Sequence, residues 1–232
     1  MIRTTLKRKH ERGETAMRLF WDLYAVVYDA IAALYPYQQM IRRIVTLVGP
    51  RSGMRVLDAG CGTGNITRLL SDCSVVGVDS SEAMLKRARR KDSNAELRIA
   101  NLNEMLPFPS EHFDAVVCCN VVYALDNPVE SLAELKRVLK PGGTLVLSSP
   151  KCKPSIGTIV GEHIRAKGRA SMLPIAAPLF LVGLFNLIIL KRGGDKQYHF
   201  FTESEIRDLI GATAEIESTY AGQNWLVTLR KE

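Results

Sequence analysis

The stretch Val56-Leu57-Asp58-Ala59-Gly60-Cys61-Gly62-Thr63-Gly64-Asn65 constrains this chain more than any other. Residues 54–58 read as a buried strand with Asp58 at its carboxyl tip. Three glycines at alternate positions follow, and Ile66, Thr67, Arg68, Leu69 and Leu70 continue as a helix over about 64–71. Strand, glycine turn and helix make a ligand site by construction. Missing side chains let a ligand approach the backbone, and a helix start offers unpaired N–H groups. The spacing is D-x-G-x-G-x-G, not the nicotinamide fingerprint G-x-G-x-x-G, and an acid at the strand tip suits a ligand with an amine rather than a pyrophosphate. Val75-Val76-Gly77-Val78-Asp79 reads as the next strand, ending in an acid placed to accept both hydroxyls of a ribose.

The rest of the middle of the chain alternates strand and helix, the signature of a parallel sheet. Ser80 or Ser81 can cap a helix over Glu82–Arg90. A third strand is expected over 95–100, a fourth over 113–120, a helix over 129–139 and a fifth strand over 144–148. Lys140-Pro141-Gly142-Gly143 is a turn, because proline stops the helix and glycine accepts positive φ. Before this core, residues 16–48 keep a helical rhythm that restarts at Pro36, and Tyr24 and Tyr28, four apart, share a face. After it, Ile156–Lys167 reads as a helix. Thr202-Glu203-Ser204-Glu205 is a capping box opening a helix to about Ile210, and 214–221 and 225–230 are strand-like.

The ordered motifs resemble the class I S-adenosylmethionine-dependent methyltransferases, of UbiE or phospholipid N-methyltransferase type, from about Met54 to Pro150 and more weakly to the C-terminus. Phe113-Asp114, Asn120-Val121-Val122-Tyr123 and Leu139-Lys140-Pro141-Gly142-Gly143-Thr144-Leu145 also carry the resemblance. It implies an α/β fold: a Rossmann-like, doubly wound, seven-stranded, mostly parallel sheet with a C-terminal antiparallel hairpin and a helical lid. The expected segments are a helical cap (1–50), the cofactor core (51–150), a lid insertion (151–200) and a C-terminal helix and hairpin (201–232). The implied cofactor is S-adenosylmethionine. Asp58 would hold its methionine amine, and Gly60, Cys61, Gly62 and Gly64 would admit it to the backbone. Asp79 would bind its ribose, with Ser80 and Met84 beside the adenosine. Asn101 stands where the family commonly has an acid that accepts from the adenine amino group, and Leu102 follows it. Asn120 is a cofactor neighbour. Tyr24 or Tyr28 would touch the cofactor from the N-terminal helix, and Tyr123 is the acceptor-side candidate.

Charge and apolarity outside the core bear on the acceptor. The formal net charge of +7 is concentrated in residues 1–20, with six basic residues against two acidic, and in 151–200, with eight against two. Within the second segment, Met172–Leu190 is an uncharged run of 19 residues flanked by Arg165, Lys167, Arg169, Lys191 and Arg192. Two prolines, Gly183 and Asn186 argue against a regular membrane span. A buried lid and a segment lying on an anionic bilayer are the two remaining readings. The expected partner is accordingly a lipid or lipophilic small molecule, with N-methylation of a phospholipid or amino-lipid headgroup as the leading case. The alternatives are a free quinone or polyketide, and a non-catalytic cofactor-binding partner of a membrane complex. No RNA module or aromatic-rich basic surface is legible, so nucleic acid is not expected. The five cysteines lack metal-ligand spacing, so no metal is expected, and the default compartment is the cytoplasm, at most peripheral on the inner face of a membrane. His163 and His199 are isolated, and no base is legible. An amine acceptor would need only to lose its proton.

Overall fold

The computed structural model describes Ala25 and residues 28–92, 95–181, 183 and 198–232. Residues 28–32 are helical and lead into α1 (Tyr35–Val48), which Pro36 opens and Gly49, at φ +58°, closes. The core runs β1 (Arg55–Ala59), β2 (Ser74–Asp79), α2 (Glu82–Lys91), β3 (Glu96–Ile99), β4 (Phe113–Cys119), α3 (Pro128–Val138) and β5 (Leu139–Pro150). It continues through α4 (Ile156–Lys167), α5 (Glu203–Ile210), β6 (Glu215–Thr219) and β7 (Asn224–Arg230).

The seven strands form one sheet in the order β3-β2-β1-β4-β5-β7-β6. The first five are parallel, and β7 joins β5 and β6 antiparallel. The strand order therefore reverses between β1 and β4, where open α/β sheets take their ligands. Both faces of the sheet are covered. One carries Leu57, Val78, Phe113, Val116 and Leu145 against α3 and α5; the other carries Val56, Ala115, Val117 and Val146 against α1. Near-continuous apolar strands such as Val116-Val117-Cys118-Cys119 are what two-sided burial requires.

Most expected elements are present, with two departures. The helix anticipated over 64–71 is a 3-10 turn at Thr67–Leu70. Left-handed φ values at Gly60, Gly62 and Gly64 use up the first residues of the connection, and β2 begins at Ser74, so no regular helix fits. The Lys140–Gly143 turn lies inside β5 as a bulge. A step from Phe113 to Ala115 on β4 faces a step from Leu139 to Thr144 on β5. Asp114 secures it, accepting from the Arg55 N–H at 2.8 Å and pairing with Lys140.

The segment after α4 packs only in part. Ile175 and Leu179 lean on the core, while Leu173, Phe180 and Leu181 are 81%, 72% and 52% exposed. The described portion is thus not a buried lid. No helix among the described residues is long and apolar enough to cross a membrane. Residues 182 and 184–190, most of the remaining apolar run, lie outside the described residues, as do Lys191 and Arg192.

Phe113 tests the core. It is fully buried, with its ring edge-on to Phe108 at a centroid distance of 5.1 Å. Phe113→Ala should lower the unfolding free energy by about 3–5 kcal/mol, read from urea denaturation.

Candidate active site

The carboxyl tips of β1 and β2 are joined by backbone hydrogen bonds. The N–H groups of Gly60 and Cys61 both donate to the Val78 carbonyl, at 2.8 and 2.9 Å, which folds the glycine loop back over β2. Asp79 completes the link. Its Oδ2 accepts from the Gly62 N–H at 2.8 Å and its Oδ1 from the Ser81 N–H at 2.9 Å. These two bonds orient the half-buried carboxylate through the backbone.

The outer two glycines serve packing. A Cβ on Gly60 would fall 2.4 Å from Cγ2 of Val121, and one on Gly64 would fall 3.0 Å from Cβ of Ala88. The middle glycine faces the N-terminal segment: a Cβ on Gly62 would lie 3.9 Å from the Tyr28 ring. Cys61 is buried, and its thiol is pushed well above its usual range by burial, then by the charges of Asp58 and Asp79. Its backbone is engaged within the loop, the N–H donating to the Val78 carbonyl and the carbonyl accepting from the Gly64 N–H at 2.9 Å.

Asp58 sits beneath this loop, 1% exposed, accepting from the Thr67 hydroxyl at 2.7 Å. Burial pushes its carboxyl up to about 6, against the opposing Thr67 bonds. Ser80 is half-buried, and its neighbour Ser81 is the cap of α2, accepting from the Met84 N–H at 3.1 Å. Met84 is buried on α2, and Leu102 is buried in the core beyond β3. Asn101 has local partners: its Oδ1 accepts from the Asn103 N–H at 3.1 Å and its Nδ2 donates to Glu104 at 3.0 Å. Asn120 follows β4 with φ +57°. Its Oδ1 accepts from the Ser148 hydroxyl at 3.0 Å and from Asn224 Nδ2 at 2.6 Å.

Two aromatic groups stand beside the loop and beyond the tip of β4. Tyr28 meets Tyr37 edge-on, with hydroxyls 3.4 Å apart, and Tyr37 meets Tyr220. Burial holds the Tyr28 phenol well above its usual range, so it stays protonated and is no general base at neutral pH. Tyr123 lies 5.3 Å from the Tyr198 ring and is stacked with Phe200 at 6.2 Å. Tyr24 lies outside the described residues.

The structure thus gathers Asp58, Gly60, Cys61, Gly62, Gly64, Asp79 and Tyr28 at the β1 and β2 tips. Asn120 and Tyr123 lie beyond the tip of β4, and Asn101 and Leu102 beyond that of β3. Asp29, which with Tyr28 resembles the family's N-terminal helix pattern, interlocks beside the loop with Thr63, Asn65 and Lys91, three residues that sequence reasoning missed. It also missed Tyr198, Phe200 and Asn224. Thr63 and Asn65 stood inside the glycine motif, but Lys91 ends a run of basic residues that reads as a solvated face.

Residues 57–147 match the family model described as a methyltransferase domain. Over 160 residues the chain is 35% identical to the ubiquinone/menaquinone biosynthesis C-methyltransferase UbiE of Erwinia tasmaniensis, covering 57% of this chain and 62% of that one. Over 150 residues it is 33% identical to a demethylmenaquinone methyltransferase of Symbiobacterium thermophilum, covering 59% of each. The chain therefore spans about three-fifths of the length of the curated relatives it matches. Among solved structures, a Thermotoga maritima methyltransferase described as a possible histamine N-methyltransferase superposes with a TM-score of 0.61 at 18% identity, covering 94% of this chain and 99% of that one.

The Asp58 carboxyl gives a pH test. The folded protein, titrating at about 6, holds this proton more tightly than the unfolded chain does near 4, so stability falls as pH rises across that window. Asp58→Asn removes the cost and keeps an acceptor for Thr67. Unfolding measured without ligand should be similar for both proteins at pH 4, with the variant more stable by on the order of 3 kcal/mol at pH 7.

Proposed function

We propose that the chain is a class I S-adenosylmethionine-dependent methyltransferase, as the methyltransferase-domain match over residues 57–147 and the similarity to quinone methyltransferases support, and that it transfers a methyl group from S-adenosylmethionine to a lipophilic, quinone-type acceptor. The observation that carries the cofactor half is the Asp79 carboxylate, braced by the Gly62 and Ser81 amides beside a loop whose middle glycine has no Cβ. These residues fit the cofactor, since a fixed carboxylate suits a ribose diol. Bound S-adenosylmethionine would supply an electrophilic methyl on a sulfonium, so the acceptor is the reduced, electron-rich quinol ring, which forms the new carbon–methyl bond as the sulfur–methyl bond breaks and then gives up a ring proton to water.

The protein's share is alignment and the exclusion of water, which together can lower a barrier by several kcal/mol. Asp79 fixes the ribose. Asp58, buried under the loop, would hold the methionine amine, and that cation would offset the cost of keeping the carboxylate charged out of water. Ser80 and Met84, with Asn101 and Leu102, border the adenosine side. The protonated Tyr28 covers the middle glycine and keeps water out. Tyr123, Tyr198 and Phe200 offer a planar acceptor an aromatic wall. That wall, and relatives named for ubiquinone/menaquinone and demethylmenaquinone methylation, favour a quinone-type ring over the amino-lipid headgroup expected from sequence.

A second reading, methylation of an amino-lipid headgroup at a membrane surface, is favoured by the exposed Leu173, Phe180 and Leu181 near Arg165, Lys167 and Arg169. Such a patch suits an anionic bilayer, where each basic residue contributes about 1 kcal/mol. Methyl-labelled cofactor incubated with a total lipid extract separates the readings. Label in the quinone fraction supports the first and label in a phospholipid the second, while no transfer to either counts against a catalytic role.

Two further outcomes are expected. Calorimetry should detect binding of S-adenosylmethionine and its demethylated product but not NAD, and Asp79→Ala should cost about 1–3 kcal/mol of that binding. In sedimentation, the protein should bind anionic vesicles and bind neutral ones less. Its binding should weaken with salt without vanishing, since only the electrostatic part is screened. Replacing Leu173, Phe180 and Leu181 together by serine should remove most of the salt-resistant part while leaving the melting temperature nearly unchanged.

A further inference from the structure

Four polar side chains from three separate segments close on one another beside the glycine loop. Lys91, the last residue of α2, directs its ammonium at Asp29 Oδ1 (2.6 Å), Thr63 Oγ1 (2.9 Å) and Asn65 Oδ1 (2.9 Å). A lysine has three N–H donors, and here each has an acceptor. Thr63 donates to Asp29 Oδ1 at 2.7 Å and accepts from Asn65 Nδ2 at 3.1 Å. Thr63 and Asn65 are buried within the loop itself. The Lys91 and Asp29 side chains are 24% and 35% exposed, so water reaches the ion pair from one side.

Asp29 directly follows Tyr28, whose ring lies over the middle glycine. Fixing Asp29 therefore fixes the residue that covers the loop. The same helix that carries Lys91 at its C-terminus begins at Ser81, whose N–H holds Asp79. One rigid element thus connects the ribose-side acid to the tie on the N-terminal segment. The cation also stands at the end of the helix where the macrodipole favours positive charge.

We propose that Lys91 is a positioning residue, latching Tyr28 and Asp29 against the glycine loop, and that opening of this latch governs release of the cofactor product. The proposal rests on the cofactor reading above. A partly exposed pair suits this task, because a half-solvated bond opens more readily than a fully buried one.

The test uses the full chain and S-adenosylhomocysteine, with its dissociation rate measured by competition in stopped flow and melting temperatures measured without ligand. Lys91→Met and Asp29→Asn should each speed dissociation by about tenfold. The double variant should be no faster than the quicker single one, since both break one contact. Lys91→Arg should recover part of the slow release, and wild-type release should quicken with salt. Release rates that match wild type in both single variants, whether or not their melting temperatures fall, would overturn the latch and leave a structural staple. Asp29→Asn is isosteric and keeps the Thr63 bond, so the test survives if Lys91→Met does not fold. A wild type that binds no S-adenosylhomocysteine refutes the cofactor reading instead, whereas normal binding with unchanged variants refutes only the latch.

Discussion

The arrangement of this site depends on the carboxylate of Asp79. Through one oxygen it holds the N–H of Gly62, and through the other that of Ser81. The first bond sets the height of the glycine loop above β2. The second sets the start of α2, whose cap hydroxyl belongs to the same Ser81. Loop, strand tip and helix are thereby registered to one side chain. Glycine makes this possible on both sides, since a Cβ at residue 60 would strike Val121 and one at residue 64 would press on Ala88. A side chain at residue 64 would push the loop from α2, which Asp79 ties to it, and one at residue 60 would push the loop from the segment after β4.

A cost accompanies this arrangement. Asp58 lies under the same loop, out of water, and the Thr67 hydroxyl only partly offsets the loss of hydration. A carboxyl that titrates at about 6 makes the fold weaker at neutral pH than its packing alone would give. A cationic ligand group nearby would remove that penalty on binding. The ligand would then stabilise the fold most where the empty protein is weakest. Marginal stability at a functional centre is the usual consequence of preparing it for a charge it does not yet hold.

How much could be read from sequence follows how locally each feature is encoded. The glycine loop, Asp79, α2 and its serine cap, and α4 over Ile156–Lys167 are all legible, because each depends on residues a few positions apart. The capping box at Thr202 and Glu205 is of the same kind. The helix expected after the loop failed because residue patterns do not record how many positions three left-handed glycines use up before Thr67. The bulge at Lys140–Gly143 read as a simple turn, because only the neighbouring strand reveals that pairing resumes beyond it. Lys91 was illegible for another reason. It stands with Arg89 and Arg90 in one basic run, and nothing local says that it turns inward to Asp29.

The same distinction separates the two halves of the cleft. The cofactor side comes largely from one continuous stretch, 58–84, so a motif can encode it. The acceptor side is assembled from distant pieces. Tyr123 follows β4, while Tyr198 and Phe200 arrive only after the apolar segment. Asn224, at the start of β7, reaches Asn120 across β5. Ring stacking of Tyr123 on Phe200 requires the chain to return across the sheet, and the His199 N–H donating to the Tyr123 carbonyl at 2.9 Å secures that return. The contacts around the glycine loop and those around Tyr123 are thus carried by different parts of the polypeptide, and only the first lie within one continuous motif.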